Sequence, residues 1–188
     1  MRAPTVSDLD LRALLSLYGG AHGAWAPLMI GATVLGGGWA VFLLLPLLWH
    51  RPTRAFAAAL AAGIVAQAVV VWGLKALTGR VRPWIALGLP PPLGAPHDFS
   101  FPSGHAAGSF CVAAFLVVAL PAAWPKARRR AHVVSSLGVV VATVVAASRV
   151  YLGAHFPTDV VAGAVLGAVA GAFAGSAYAR RRLSSRAS

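Results

Sequence analysis

The sequence predicts an all-α fold: a polytopic transmembrane helical bundle of about five spans, preceded by an N-terminal interfacial helix. Hydrophobic residues make up 59% of the 188 residues and charged residues only 11%, whereas a soluble domain needs a surface that is about a quarter charged. Five charge-free stretches approach the roughly 20 residues that a helix needs to cross a bilayer. The cations fall in short clusters between these stretches, as is typical of membrane proteins.

The first predicted element is a helix at residues 7–18 that lies on the membrane surface. This segment is too short and too polar to cross the bilayer, but its apolar residues share one helical face. They are Leu11, Leu14, Leu15 and Tyr18. A signal peptide is the competing interpretation, which we disfavour because Asp8 and Asp10 precede an apolar part of only about six residues.

The five charge-free stretches are the predicted spans, at residues 25–49, 55–74, 105–124, 131–148 and 160–179. At about 1.5 Å of rise per residue, helices of this length match a bilayer core of about 30 Å. We expect one membrane-embedded domain over residues 1–188. Its parts are an interfacial segment at 1–24, a helical bundle at 25–179 and a basic cytoplasmic tail at 180–188.

The positive charges predict the orientation of this bundle. Ten Lys and Arg residues fall on one side of the predicted spans and six on the other, so the side with ten should be cytoplasmic. The ten are Arg51, Arg54, Lys126, Arg128, Arg129, Arg130, Arg180, Arg181, Arg182 and Arg186. We therefore expect a multi-pass protein of the cell membrane with a cytoplasmic C-terminus. Four of the six outward cations lie in two loops, against the trend that places Lys and Arg on the cytoplasmic side. An anionic ligand would explain this exception. The four are Lys75, Arg80, Arg82 and Arg149.

The last predicted span carries glycines at four-residue spacing, namely Gly163, Gly167, Gly171 and Gly175. Such a stripe lets a neighbouring helix approach closely. We favour packing within the protein's own bundle, and an oligomer interface is the alternative.

The composition excludes several function classes. No Glu occurs among the four acidic residues, which excludes chemistry built on paired glutamates. The single Cys111 excludes disulfides within the chain and cysteine metal sites. Although the net charge is +12, the cations sit between apolar runs rather than on a solvated face, so we expect no nucleic-acid partner.

Three polar clusters on the predicted outward side carry the candidate chemistry. In chain order they are Lys75-x6-Arg82-Pro83, Pro102-Ser103-Gly104-His105 and Ser148-Arg149-x5-His155-x3-Asp159. Guanidinium groups bind phosphate oxygens through a fixed fork of N–H donors, and a lysine adds a compact charge. Ser103 looks like a helix start, where unpaired N–H groups favour an anion, and Gly104 lets that backbone come close.

Two histidines lie beside this predicted anion site. Asp159 follows His155 by four residues, so its carboxylate can accept one ring N–H and leave the other nitrogen free as a nucleophile. This pairing has the logic of the His-Asp half of a catalytic triad. His105 has no carboxylate nearby in the sequence and suits a general acid that protonates a leaving oxygen.

The three clusters resemble the type 2 phosphatidic acid phosphatase superfamily, which includes membrane lipid phosphatases, glucose-6-phosphatase and vanadium haloperoxidases. The family pattern is K-x6-R-P, P-S-G-H and S-R-x5-H-x3-D, and all three motifs occur here in order. The resemblance extends from about Ala55 to the last predicted span. Relatives usually have one more span before the first motif than the two predicted here.

The resemblance implies a role for each matching position. His155 would attack phosphorus and form a phosphohistidine, with Asp159 orienting it and His105 protonating the leaving group. The phosphoryl oxygens would be held by Lys75, Arg82, Ser103, Gly104 and Arg149. Water would then release phosphate, and no metal or other cofactor would be needed.

The resulting hypothesis is an integral membrane phosphatase that hydrolyses a phosphate monoester or diphosphate of a lipid at the extracytoplasmic face. Candidate substrates are polyprenyl diphosphates, phosphatidic acid and phosphatidylglycerol phosphate. The alternative is a non-catalytic protein that binds or transports anionic lipids with the same anion site. Both histidines argue against it, because binding needs only the cations. A vanadate-dependent haloperoxidase is less favoured, because those relatives are soluble and much larger.

Other polar residues are expected to be structural. His97 and Asp98 lie on the outward side but match no motif, so we interpret them as loop residues. Ser148 belongs to the third motif, yet a serine on a helix commonly bonds its own backbone.

Overall fold

The computed structural model describes residues 7–92, 94 and 97–187, so the predicted limits at residues 1 and 188 lie outside the described residues. The described chain contains the helices α1 (Asp8–Leu17), α2 (Ala26–Leu35), α3 (Leu44–Trp49), α4 (Arg51–Thr78), α5 (Pro83–Ala86), α6 (Gly104–Ala123), α7 (Arg128–Tyr151) and α8 (Pro157–Ala187). Four described segments are long and apolar enough to cross a membrane: Arg51–Ala86, Gly104–Ala123, Pro125–Tyr151 and Pro157–Ser185. The predicted all-α transmembrane bundle is thereby confirmed.

The first predicted span, residues 25–49, differs from the prediction because it is not one continuous helix. α2 is a shorter apolar helix that ends at Leu35, and a 3₁₀ segment at Gly38–Leu43 separates it from α3. Three consecutive glycines, residues 36–38, weaken the helix at this point. Gly36 also lies so close to α7 that an added Cβ would stand 2.3 Å from a methyl carbon of Val145. The charge-free run therefore predicted the apolar character of this region but not its break.

Three of the other four predicted spans become longer helices, whereas the span predicted at 105–124 becomes α6 with the same length. A charge-free window detects only the apolar part of a helix, whereas backbone hydrogen bonding continues into the charged residues on either side. α8 shows this most clearly, because it continues through the basic residues of the predicted tail to Ala187.

α1 forms where the sequence predicts it and packs one side against the bundle. Ser7 caps its start by accepting a hydrogen bond from the Asp10 N–H at 3.2 Å. Leu14 is fully buried in a cluster that includes Phe156 and Val160. Leu15, on the predicted apolar face, is more than half exposed. α1 is therefore anchored at the end of the bundle where α7 ends and α8 begins.

α6 lies at the centre of the bundle, with α8, α7 and α4 packed around it. The glycine stripe of α8 forms the closest of these contacts. A Cβ added at Gly167 would stand 2.0 Å from the backbone oxygen of Ala107, and one added at Gly171 would stand 2.0 Å from that of Cys111. The stripe packs against a helix of its own chain, as the favoured interpretation predicted.

Replacing Gly167 by Ala is expected to lower the thermal unfolding temperature of the purified protein. The added methyl group collides with backbone rather than with a flexible side chain, and overpacking of this kind costs about 1–3 kcal/mol. Gly73→Ala on α4 is the matched control, because an added Cβ there meets nothing within 4 Å. Equal unfolding temperatures for the two variants would show that α6 and α8 are not in close contact.

Candidate functional site

The three motif clusters meet at one end of the bundle. Lys75 lies in the last turn of α4, which Gly79 ends in a left-handed conformation with φ +57°. Ser103 and Gly104 begin α6. The remaining predicted residues lie just before α5, in the last turn of α7, in the connection after α7 and in the first turn of α8; they are Arg82, Arg149, His155 and Asp159. All of them except Gly104 and His105 are buried.

His155 and Asp159 are held side by side. His155 Nδ1 lies 3.5 Å from Asp159 Oδ2. The hydroxyl of Ser100 donates to the same carboxylate oxygen at 2.6 Å and lies 3.4 Å from His155 Nδ1. The Phe156 N–H donates to this oxygen at 2.9 Å. One ring nitrogen of His155 therefore faces an ordered carboxylate, as the four-residue spacing predicted.

The second ring nitrogen of His155 faces a cation. Arg82 Nη1 lies 2.9 Å from His155 Nε2, so this nitrogen accepts when Nδ1 carries the proton. Burial lowers the pKa of His155 from 6.5 to about 3, although the hydrogen bond with Asp159 opposes the shift. The charges of Arg82 and Arg149 lower this pKa further. His155 is therefore neutral at physiological pH, with an unprotonated nitrogen directed at the cations.

Asp98 bridges two of the cations. Its carboxylate lies 3.0 Å from Lys75 Nζ and accepts from Arg82 Nη2 at 2.6 Å. Arg82 Nε also donates to the Asp98 backbone oxygen at 2.8 Å, and Lys75 donates to the Phe99 carbonyl. Burial would raise the pKa of Asp98, but the hydrogen bond from Lys75 and the charge of Arg82 hold it below its usual range. The residue interpreted from sequence as part of a loop thus engages the donors that would bind a phosphoryl group.

Arg149 reaches the same region from α7. Its Nη1 donates to the hydroxyl of Thr33 at 2.9 Å, and that hydroxyl lies 2.8 Å from the hydroxyl of Ser148. Arg149 Nε is buried without a hydrogen-bond partner among the described residues. α2 therefore holds one donor of this guanidinium, whereas its buried Nε is left without a partner in the described part of the chain.

The start of α6 contributes backbone donors. The Ser103 N–H donates to the Asp159 carbonyl at 2.9 Å, and its hydroxyl accepts from the Ala106 N–H at 3.5 Å. In the described part of the chain, no hydrogen bond engages the N–H of Gly104 or His105. These two groups, rather than that of Ser103, form the open helix start that favours an anion.

His105 is half-buried in the first turn of α6. Its ring lies within electrostatic reach of Arg149, Arg82 and Lys75. Across residues 7–92, 94 and 97–187, no three His, Cys, Asp or Glu side chains are grouped so that they could hold a metal ion. The site combines two histidines, three cations and a helix start at one end of the bundle.

The family model of the PAP2 superfamily matches residues 56–183. The chain belongs to the PAP2 superfamily.

Two named relatives share part of its sequence. The chain is 40% identical over 90 residues to phosphatidylglycerophosphatase B of Bacillus subtilis (strain 168), a match that covers 48% of this chain and 42% of that protein. It is 39% identical over 71 residues to undecaprenyl-diphosphatase of Sulfolobus acidocaldarius, covering 38% of this chain and 30% of that protein. The chain thus matches less than half the length of either relative.

Two crystal structures share the fold. That of a transmembrane PAP2-type phosphatidylglycerolphosphate phosphatase from Bacillus subtilis aligns with a TM-score of 0.73 and 26% identity, covering 92% of this chain and 84% of that one. That of Aquifex aeolicus LpxE aligns with a TM-score of 0.73 and 24% identity, covering 92% of this chain and 98% of that one. The protein therefore has the fold of transmembrane PAP2 proteins and is a multi-span membrane protein.

The structure adds residues that the PAP2 motifs do not include. Ser100 precedes the second motif and joins Asp159 to His155. Thr33 holds Arg149 from α2, and Asp10 lies buried in α1. Ser100 could have been suspected from its place beside a motif. Thr33 and Asp10 lie far from every motif in the sequence, and only the packing of α1 and α2 brings them to the site.

Replacing Asp98 by Asn is expected to tighten the binding of inorganic phosphate about 5-fold to 10-fold. The carboxylate competes with an anion for Lys75 and Arg82, and removing its charge leaves these donors to the ligand. Isothermal titration calorimetry on the purified protein measures the change. Asp8→Asn removes the same charge from an exposed position and should leave the affinity unchanged. Weaker binding by the Asp98 variant would mean that this carboxylate holds the cations in place for the ligand.

The lowered pKa of His155 predicts how stability depends on pH. The folded protein keeps this ring neutral down to about 3, whereas the unfolded chain binds a proton below 6.5, so stability falls as pH falls from 6.5 toward 3. The contribution of one proton is about 1.4 kcal/mol per pH unit. Between pH 6.5 and 3, the unfolding temperature of the wild type should therefore fall more steeply with falling pH than that of His155→Gln. Parallel slopes would contradict the low pKa.

Proposed function

We propose that the protein is an integral membrane lipid phosphatase that hydrolyses a phosphate monoester or diphosphate of a lipid through a phosphohistidine intermediate. The observation that carries this proposal is the setting of His155. Its Nδ1 faces Asp159 while its Nε2 lies 2.9 Å from Arg82, among cations suited to a phosphoryl group. A protein that only binds anions needs the cations but not a neutral, oriented imidazole.

The first step is attack of His155 Nε2 on phosphorus. The N–P bond forms as the bond between phosphorus and the leaving oxygen breaks. Approach of phosphorus replaces the contact between Nε2 and Arg82, whose guanidinium then binds phosphoryl oxygens together with Lys75 and Arg149. Asp159 stabilises the imidazolium that develops, because its carboxylate faces the Nδ1–H and offers it a hydrogen-bond acceptor.

The leaving oxygen takes its proton from His105, which stands beside the open start of α6. The N–H of Gly104, the hydroxyl of Ser103 and the charge of Arg149 hold the transferred phosphoryl group near that point. In the second step His105 removes a proton from water, the water oxygen attacks phosphorus, and the N–P bond breaks. Inorganic phosphate leaves and His155 returns to its neutral form. The charges of Lys75, Arg82 and Arg149 serve this chemistry without a metal ion.

The names of the relatives support the substrate class. One is named for phosphatidylglycerophosphate and another for undecaprenyl diphosphate, and both compounds carry a phosphate on a lipid. Polyprenyl diphosphates, phosphatidic acid and phosphatidylglycerol phosphate are the candidates. A lipid tail would stay in the bilayer while its headgroup reaches the buried cations.

We also propose that the site faces the extracytoplasmic side and that the C-terminus is cytoplasmic. The support is the distribution of cations along the helices. The start of α4, the start of α7 and the end of α8 are rich in arginine, and all three lie at the end of the bundle away from the site.

The purified wild type is expected to release inorganic phosphate from a panel of lipid monophosphates and diphosphates, and His155→Ala to lower kcat by at least about 1000-fold. Removing the nucleophile leaves only binding and general polarisation of the phosphate. His132→Ala is the matched control, because His132 is exposed on α7 at the opposite end of the bundle. Phosphate release is measured colorimetrically, with unfolding temperatures as a check on folding.

Labelled substrate gives a second measurement. An acid-labile, alkali-stable phosphoenzyme should form in the wild type and be missing in His155→Ala. Tight lipid binding with no phosphate release would instead favour the non-catalytic lipid-binding alternative. Turnover is expected to persist in EDTA; if EDTA stops it and Mg²⁺ restores it, the metal-independent mechanism is wrong.

A further inference from the structure

We propose that Asp10 of α1 is a positioning residue for the reaction. It acts on Asp159 through Arg80 and Thr158, and Asp159 in turn orients His155. The inference rests on the proposed function, because it assigns Asp10 a role in the same site. Asp10 lies outside the segment that matches the family, residues 56–183, so no family motif points to it.

Asp10 is a buried carboxylate in a helix that the sequence predicts to be interfacial. Asp10 is only 3% exposed to solvent, whereas Asp8, in the same first turn, is exposed. An ionised carboxylate without partners costs several kcal/mol to bury. Asp10 therefore needs specific partners, and it finds them in the chain around the site.

Both carboxylate oxygens of Asp10 are engaged. Oδ1 accepts from the Thr158 N–H at 3.1 Å. Oδ2 accepts from the Thr158 hydroxyl at 2.6 Å and from Arg80 Nη2 at 2.5 Å. Asp10 thus caps the first turn of α8, one residue before Asp159.

Arg80 is shared between two carboxylates. Its Nη2 binds Asp10, and its Nη1 donates to Asp159 Oδ1 at 2.5 Å. The guanidinium carbon lies 4.4 Å from the centre of the Phe156 ring, a cation–π contact that adds a third support to the group. The first oxygen of Asp159 is therefore taken by Arg80, and the second remains for Ser100 and the imidazole.

The physical effect of Asp10 follows from this sharing. When Asp10 is present, the guanidinium of Arg80 binds two carboxylates, one through Nη2 and the other through Nη1. These two contacts set its orientation. Without the Asp10 charge, Asp159 is the only carboxylate described against Arg80, and the Thr158 hydroxyl at 2.7 Å is its other hydrogen-bond partner. Nη2 then loses its partner and the guanidinium can turn, which weakens the hold of Asp159 on His155. Small displacements of a catalytic group lower kcat without changing substrate binding.

The anchoring of α1 does not by itself require this arrangement. Leu14 is fully buried in an apolar cluster with Phe156 and Val160, one turn further along the same helix. Apolar burial at Leu14 attaches α1 to the bundle, and a polar contact is not needed for that purpose. Attachment of α1 alone therefore does not account for a buried carboxylate at Asp10.

The test compares Asp10→Asn with Asp8→Asn, which removes the same charge from the exposed side of the same helix. We expect Asp10→Asn to lower kcat for lipid phosphate hydrolysis about 10-fold to 100-fold with KM within about 2-fold of the wild type. Asp8→Asn should match the wild type in both constants. Unfolding temperatures of all variants report whether each protein is folded at the assay temperature.

A double-mutant cycle separates positioning from a general structural effect. Because Asp10 acts largely through Arg80, Asp10→Asn should lower kcat by at most about 2-fold when Arg80 is already Gln. A merely structural residue would lower kcat by the same factor in both backgrounds. If Asp10→Asn does not fold, Thr158→Val replaces it in the test. This variant should lower kcat at unchanged KM, and Thr158→Ser should restore it.

The outcomes distinguish this inference from the proposed function. A wild type without phosphatase activity, or an active His155→Ala, overturns the proposed function and the role of Asp10 with it. An active wild type and an inactive His155→Ala, with Asp10→Asn equal to Asp8→Asn or additive with Arg80→Gln, overturns only the inference about Asp10.

Discussion

Charges buried at the end of an apolar bundle must compensate one another, and the arrangement of this protein depends on that constraint. Moving an ion out of water costs several kcal/mol even after the protein relaxes. Lys75 and Arg82 meet this cost through Asp98, and Arg80 meets it through Asp10 and Asp159. Carboxylates from three different parts of the chain thus hold Lys75, Arg82 and Arg80 in place, whereas Arg149 is held by the Thr33 hydroxyl.

The packing of α6 against α8 makes this arrangement geometrically feasible. Gly163 lies directly beneath the start of α6, where a Cβ would stand 2.3 Å from the Ser103 carbonyl. At the same point the Ser103 N–H donates to the Asp159 carbonyl. The glycine stripe therefore brings the first turn of α8 against the helix start that offers backbone donors. Bundle packing and site geometry depend on the same contact, because a bulkier residue would separate the carboxylate from its partners.

Much of the site was predictable because its residues follow motifs of fixed spacing at helix ends. The four-residue spacing of His155 and Asp159 brings a ring and a carboxylate together across one turn, and alternating transmembrane helices bring every second loop to the same end of the bundle. The interpretation of Asp98 was incomplete for a physical reason. A single carboxylate in a loop shows no periodicity, and its partners lie on other elements.

The sequence by itself determined the membrane environment, the helical class and the PAP2 motifs that hold the candidate site residues, because apolar length, charge placement and motif spacing are local properties of the chain. The break in the first predicted span, the sharing of Arg80 between Asp10 and Asp159, and the support of Arg149 by Thr33 were decided only by the tertiary structure. Each of these depends on contacts between segments distant in sequence. Burial also sets the protonation state of His155, because its low pKa arises mainly from desolvation, which no local sequence pattern records.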